Sequence, residues 1–501
     1  MIAPIQNGSP ADPRPPGEQA AAAFLPGGAL AAATGDFEYE ARPQQVDMAR
    51  AVAEALEANR HLIVEAGTGV GKSLAYLVPL ILHAKRTGTR ALVSTHTISL
   101  QEQLVGKDLP LLQDRLGTAF RAVLVKGRSN YLCLRRLARA RGHQRELFAD
   151  GVAAELERIR AWADQTEDGS VQELRRPPAP EAWSAVCAEH GNCMGGKCPE
   201  RKRCFLFRAR ARMQDADLLI ANHHLLFSDL ALRREGASFL PDVAAIVMDE
   251  AHTVEAAASE HLGIRLSPNG FEYWLRRLFA PDSGKGLLGY LRAGPAAQTV
   301  ARLWDAVAEL FHDVARVAGL GARDGLVAVA APLAVESAVP ELLRELSGRL
   351  GALIEELEDQ DEDSRAELRH LRGTGIALGG MLESFLAQSL PDQVYWIERE
   401  GKRRQPVLHS APIEVAPILR DVLFKPIPSV TLTSATLAVG GRLEYGRDRL
   451  GAGEDAALLC LGSPFDHARQ MRLHVATNAP DPKDKDAFAE AVAKGVLRWA
   501  L

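Results

Sequence analysis

The stretch Glu65-Ala66-Gly67-Thr68-Gly69-Val70-Gly71-Lys72-Ser73 most restricts what this chain can fold into. An apolar run, His61–Val64, precedes it, and an apolar helical pattern (Leu74, Ala75, Leu77, Leu80, Ile81) follows. A polyphosphate needs main-chain N–H groups close on several sides, so the loop that cradles it must lack bulky side chains. The helix behind such a loop offers its N-terminal N–H groups and dipole to the same anion. Ala66, Gly67, Thr68, Gly69, Val70 and Gly71 would form the cradle for ATP. Lys72 would reach the β- and γ-phosphates, and Ser73 would bind Mg²⁺ through its hydroxyl. The usual pattern opens on glycine; Ala66, also small, stands there.

Five further apolar runs, Ala91–Ser94, Ala122–Val125, Leu218–Ala221, Ala244–Met248 and Val430–Thr433, read as buried strands separated by helical stretches. That alternation predicts an α/β fold, a parallel doubly wound sheet with ligands at its carboxyl edge. Val247-Met248-Asp249-Glu250-Ala251-His252 ends one of these strands. Two adjacent carboxylates there are costly unless they meet a cation. Asp249 would hold Mg²⁺, and Glu250 would orient and deprotonate an attacking water. His252 reads as a coupling residue beside them rather than a metal ligand.

Composition sets few limits: 47% hydrophobic and 25% charged residues are ordinary for a soluble globular chain. No apolar run is long enough to span a bilayer. The Ala-rich stretch Gln19–Ala33 lacks a basic cluster before it and is broken by Pro26, Gly27 and Gly28, so it reads as a flexible leader and the protein as cytoplasmic. A net charge of −5 does not announce a nucleic-acid binder, but local charge is uneven. Lys126, Arg128, Arg135, Arg136, Arg139, Arg141 and Arg145 form one run without acids; Arg201, Lys202, Arg203, Arg208, Arg210 and Arg212 form another. Together they suggest a track for a phosphate backbone. The acidic run from Glu355 to Asp363 reads as a solvated helix end or loop, and Trp162, Trp183, Trp274 and Trp396 as packing.

Five of the six cysteines, Cys133, Cys187, Cys193, Cys198 and Cys204, fall between these basic runs or at their edges. In a cytosolic enzyme clustered cysteines point to a metal. Four thiolates suit either zinc or a [4Fe–4S] cluster, and taken alone the cysteines leave the two about even.

Asp249-Glu250-Ala251-His252, with Thr433-Ser434-Ala435-Thr436-Leu437 downstream, resembles the second and third motifs of superfamily-two helicases. Thr95-His96-Thr97-Ile98-Ser99-Leu100-Gln101-Glu102-Gln103-Leu104 is similar to their motif Ia, and Arg42-Pro43-Gln44-Gln45-Val46-Asp47-Met48 to the adenine-reading glutamine motif, with Gln45 the best-placed glutamine. From about Tyr39 to Phe465 the ordered set resembles the DinG/YoaA-like branch of the XPD-type iron–sulfur helicases. Lys126-Gly127-Arg128-Ser129-Asn130-Tyr131-Leu132-Cys133 looks like that branch's signature around its first cluster ligand. Cys193, Cys198 and Cys204 look like the other three, which leaves Cys187 outside and favours [4Fe–4S] over zinc. Asn222-His223-His224 resembles the family's Asn-His pair, with a structural or coupling role.

The resemblance implies an ATP-dependent DNA helicase moving 5′→3′ on single-stranded DNA, acting at junctions in repair or replication, with ATP, Mg²⁺ and the cluster as cofactors. A monomer is expected, with repair or replication proteins as partners. The expected organisation is a flexible tail (1–36), a RecA-like motor domain (37–126, 205–255 and 405–440), an iron–sulfur insertion (127–204), a mostly helical arch-like insertion (256–404) and the start of a second RecA-like domain (441–501). No Gln-x-x-Gly-Arg-like string follows Thr436, so the chain is expected to be truncated and to unwind weakly. Two rivals stand beside this: a non-catalytic nucleic-acid-binding accessory protein, and a P-loop ATPase with a zinc-stabilised insertion.

Overall fold

The computed structural model describes residues 13–31, 40, 42–143, 152–234, 236–321, 324–357 and 361–500. Among the described residues eleven strands run in chain order as β1 (Leu62–Ala66), β2 (Ala91–Thr95), β3 (Ala122–Leu124), β4 (Leu218–Asn222), β5 (Ala245–Asp249), β6 (Arg265–Leu266), β7 (Leu326–Ala328), β8 (Gln393–Glu400), β9 (Gln405–Pro412), β10 (Ser429–Ser434) and β11 (Ala457–Leu461). Seven of them form one sheet in the order β11-β1-β10-β5-β2-β4-β3, every pairing parallel. All six apolar runs of the sequence are strands of this sheet.

Side chains alternate across a strand, and both faces of this sheet are covered. Leu62, Val64, Val93, Leu218, Ile220 and Val247 enter one core. Ile63, Leu92, Leu219, Ile246, Met248, Val430 and Leu432 enter the other. The first core is closed by helices α1 (Pro16–Ala22), α2 (Pro43–Glu57) and α3 (Lys72–Thr87).

Four expectations need correction. The flexible tail is partly folded: Ala20, Ala21, Phe24 and Leu30 are buried in the first core, with α1 laid on α2 and α3. Small residues let that short helix approach closely, and Phe24 and Leu30 beyond it find a partner that composition could not reveal. The remainder of 1–36, residues 1–12 and 32–36, lies outside the described residues. The motor sheet also does not end at 440. Strand β11 pairs with β1 from Leu62↔Ala457 to Ala66↔Leu461, so residues through Leu461 belong to it.

The 256–404 insertion ends later than expected. Its long helices Gly294–Val317, Val339–Glu356 and Glu362–Ala387 pack against an antiparallel sheet, β6-β9-β8-β7. Because β8 and β9 pair over their whole length, Gln405–Pro412 belongs here rather than to the motor. Last, the basic run after Lys126 is not a free phosphate track. Arg135 and Arg136 are buried, and Arg135 Nη1 donates to Asp363 at 2.7 Å. The end of the acidic run is therefore an interface element; residues 358–360 lie outside the described residues.

Candidate nucleotide and cysteine sites

The phosphate loop joins β1 to α3, and two of its glycines are required by their backbone. Gly69 (φ +86°) and Gly71 (φ +83°) adopt the left-handed region. A Cβ on Gly69 would strike the Phe465 ring at 2.3 Å, and one on Gly71 would strike Gln45 Nε2 at 2.3 Å. The loop is tied from outside: Arg42 Nη1 donates to the Gly69 carbonyl at 2.6 Å, and Gln45 Nε2 to the Gly71 carbonyl at 3.0 Å. Gln45 is thus placed against the loop's main chain. Lys72 Nζ donates to the Ala66 carbonyl at 3.2 Å, so the ammonium lies at the mouth of the loop. Ser73 follows within the first turn of α3.

Across the sheet, β10 lies between β1 and β5, which sets Asp249 and Glu250 on the same carboxyl edge as the loop. Asp249 is buried, and burial pushes its carboxyl above the usual carboxylate range; the Glu250 charge pushes the same way, while the Tyr76 hydroxyl, the Glu250 N–H and Lys72 oppose. Tyr76 is fully buried and its hydroxyl donates to Asp249 Oδ2 at 3.0 Å. Glu250 sits at φ +55°, a left-handed conformation rare outside glycine and one that re-aims its side chain away from the strand. Its Oε2 accepts from Ser434 Oγ at 3.4 Å, and His252 Nδ1 lies 2.8 Å from the same hydroxyl. His252 therefore bridges the ends of β5 and β10.

Sequence reading missed two residues here. Glu65 Oε2 accepts from the Leu437 N–H at 2.6 Å and the Ala438 N–H at 2.5 Å, pinning the segment after β10 to the strand before the loop. Tyr76 lies within the same helix as the apolar pattern Leu74, Ala75, Leu77, Leu80 and Ile81, but is not one of the residues that pattern names. A lone carboxylate in an apolar strand and a hydroxyl one turn beyond Ser73 were the available signals, since neither is buried without a partner.

The Asn-His pair divides its labour. Asn222 Oδ1 accepts the Leu225 N–H at 2.7 Å, capping helix His223–Arg234. His223 points inward, with Nδ1 2.7 Å from Ser94 Oγ, and burial pushes its ring down to about 4. His224 points outward, with Nδ1 3.2 Å from His261 Nε2.

In the cysteine insertion, Cys133, Cys193, Cys198 and Cys204 line one cavity of about 40 Å³, together with Arg135, Arg136 and Arg201. Cys187 is not on it; its thiol faces the Ser184 carbonyl at 3.8 Å. Cys133 and Cys204 each stand at the N-terminus of a helix, Leu134–Gly142 and Phe205–Gln214. Burial pushes the Cys133 and Cys198 thiols up, against the pull of the Arg135 charge. The donor set, four thiols around one space with cationic neighbours, fits an anionic metal–thiolate centre. No three of these sulfurs lie within 4.8 Å of one another.

Beside it, charge joins the two insertions. Arg277 Nη1 and Nη2 donate to Glu189 at 2.8 and 2.9 Å, and Arg277 also pairs with Glu367. Arg136 pairs with Glu189 at 3.2 Å, Arg139 with Glu367 at 3.6 Å, and Asn192 Nδ2 donates to Glu367 at 2.6 Å. A groove of about 870 Å³ runs between the motor and both insertions, lined by Lys126, Arg128, Arg210, Arg212 and the exposed Tyr273 among others. Trp274 is core, its indole N–H on the Leu371 carbonyl at 2.8 Å. Among the described residues no helix is long and apolar enough to cross a membrane.

The DEAD/DEAH box helicase family model matches residues 46–160, which span the phosphate loop and the first cysteine. ATP-dependent DNA helicase YoaA of Escherichia coli is 31% identical over 488 residues, covering 94% of this chain and 71% of that protein. ATP-dependent helicase DinG of Mycobacterium tuberculosis is 33% identical over 478 residues, covering 90% of this chain and 68% of that one. A solved XPD helicase aligns at a TM-score of 0.45 with 17% identity, over 84% of this chain and 62% of its own. By its likeness to YoaA and DinG, which covers most of its length and more than two thirds of each of theirs, the chain belongs to the DinG/YoaA family of ATP-dependent helicases.

Proposed function

We propose that this chain is the ATP-hydrolysing part of a DNA helicase that moves 5′→3′ on single-stranded DNA and acts at junctions in repair or replication. The observation that carries the reading is the carboxyl edge of the sheet: Lys72, Ser73, Asp249 and Glu250 are brought together from β1, α3 and β5, and His252 ties them to Ser434 on β10. Gln45 and the loop from Ala66 to Ser73 would take ATP. Ser73 and Asp249 would hold Mg²⁺, which supplies charge neutralisation as the γ-phosphate departs. Glu250 would set the water. DNA would follow the groove, with Arg128, Arg210 and Arg212 on its phosphates and Tyr273 against a base.

Cys133, Cys193, Cys198 and Cys204 would hold a [4Fe–4S] cluster, which would staple an insertion whose own core is small. The sulfur spacing favours it over a single zinc ion, whose thiolates sit about 2.3 Å from the metal and hence under about 4 Å from each other. The test is direct. Nucleotide and single-stranded DNA binding, DNA-stimulated hydrolysis and strand separation from either end are measured on the chain purified without oxygen. Tight ATP binding by a Lys72→Ala variant would remove the motor reading. Preference for a 3′ tail would remove the polarity. A colourless protein with stoichiometric zinc would remove the cluster.

A further inference from the structure

Asp249 closes β5 at 4% exposure, and each of its carboxylate oxygens accepts one hydrogen bond. Oδ1 takes the Glu250 N–H at 2.9 Å, and Oδ2 takes the Tyr76 hydroxyl at 3.0 Å. Hydrogen bonds weaken steeply off their line, so the carboxylate cannot turn without losing one of the two. Tyr76 has no more freedom than its partner, because its ring is wholly buried in the first core. It stands three residues after Ser73 on α3, hence on the same face of that helix. One helix therefore carries both Ser73, whose hydroxyl would bind the ion, and the hydroxyl that fixes Asp249, which would bind it from β5. Rigidity of this kind discriminates between ions. Mg²⁺ demands near-ideal octahedral geometry at about 2.0–2.1 Å, whereas Ca²⁺ takes more oxygens at about 2.3–2.6 Å in a yielding shell.

We propose that Tyr76 is the positioning residue that makes the nucleotide site selective for Mg²⁺ over Ca²⁺, by locking the Asp249 carboxylate at one angle and one distance from Ser73. Tyr76 touches neither ion nor nucleotide; it acts through Asp249. This rests on the assignment of Asp249 to the metal under the helicase reading, and the test separates the two.

On the full chain with ADP bound, the dissociation constants of Mg²⁺ and Ca²⁺ are measured by competition with Mn²⁺, read by electron paramagnetic resonance, with free ADP as the reference. The parent should prefer Mg²⁺ more strongly than free ADP does. Tyr76→Phe keeps the packed ring and drops the hydroxyl. Mg²⁺ should then weaken on the order of tenfold and Ca²⁺ less than about twofold, while metal-free ADP binds as before. Placed beside Asp249→Asn, the same substitution should change neither ion further. A Phe variant that keeps the parent's preference, or whose loss persists beside Asp249→Asn, overturns the proposal. Should the Phe variant fold poorly, a parent whose preference equals that of free ADP overturns it as well. An Asp249→Asn variant that holds Mg²⁺ with ADP as tightly as the parent overturns the metal assignment itself.

Discussion

Around the phosphate loop, main chain is held by neutral amides, one arginine and the main chain itself; between the two insertions, charge holds charge. The loop's ties, Gln45 to Gly71 and Arg42 to Gly69, end on its own carbonyls, and the sheet behind it is packed on both faces. The insertion has a far smaller core, and its contact with the helical insertion runs through Arg277, Glu189, Glu367 and Arg136. Hydrophobic burial makes the first region indifferent to its ligands. The second depends on partners that must all be present, because one removed charge strands another.

Breaking that contrast starts with the metal. Cys133→Ser should abolish bound iron, and limited proteolysis should then cut within residues 127–204 while the motor sheet survives. Cleavage spread evenly through the chain would contradict a separable insertion. Next, Arg277→Ala strips one arginine from Glu189 and Glu367, which keep Arg136 and Arg139, a loss of about 1.5–3 kcal/mol, the worth of hydrogen bonds to charged groups. Denaturant titration should show it as an earlier transition confined to the insertions, with nucleotide affinity kept. Lys72→Ala should do the reverse: nucleotide affinity falls on the order of 10²-fold, the worth of a charge-assisted bond, with no change in unfolding.

Acid sharpens the same comparison. Burial alone would raise Glu367, but attraction from Arg277, Arg136 and Arg139 outweighs it and holds the carboxyl far below the usual range. A depressed folded value contributes stability that is complete above the unfolded pKa of about 4.3 and is lost as pH falls below it. The interface should therefore loosen in acid before the motor sheet does, as read by hydrogen exchange at Glu362–Ala387. Cys187→Ser should have the smallest effect, with iron content retained, since that thiol is off the cavity of the other four.

What was legible in the sequence follows this division too. The strands of the motor sheet announce themselves because each is apolar on both faces, and the loop because glycine and lysine at that spacing have few other uses. The strand β11 did not: Ala457–Leu461 is only half-buried at a sheet edge, and no motif follows it. Strands β8 and β9 are polar on alternate residues, and the long helices around them dominated the pattern. Arg135, Arg136 and Arg139 read as surface charge because their carboxylate partners lie more than 50 residues away in the chain. The four cysteines were separable from Cys187 only by likeness, and the cavity now separates them by position.

The placement of β11 has a mechanical consequence. That strand is laid directly against β1, and the chain leaving it passes Ser463 and Phe465 over Gly67 and Gly69. Tension on helix Lys485–Ala500, carried through residues 466–484, would reach Phe465 and the nucleotide cradle before it reached the sheet.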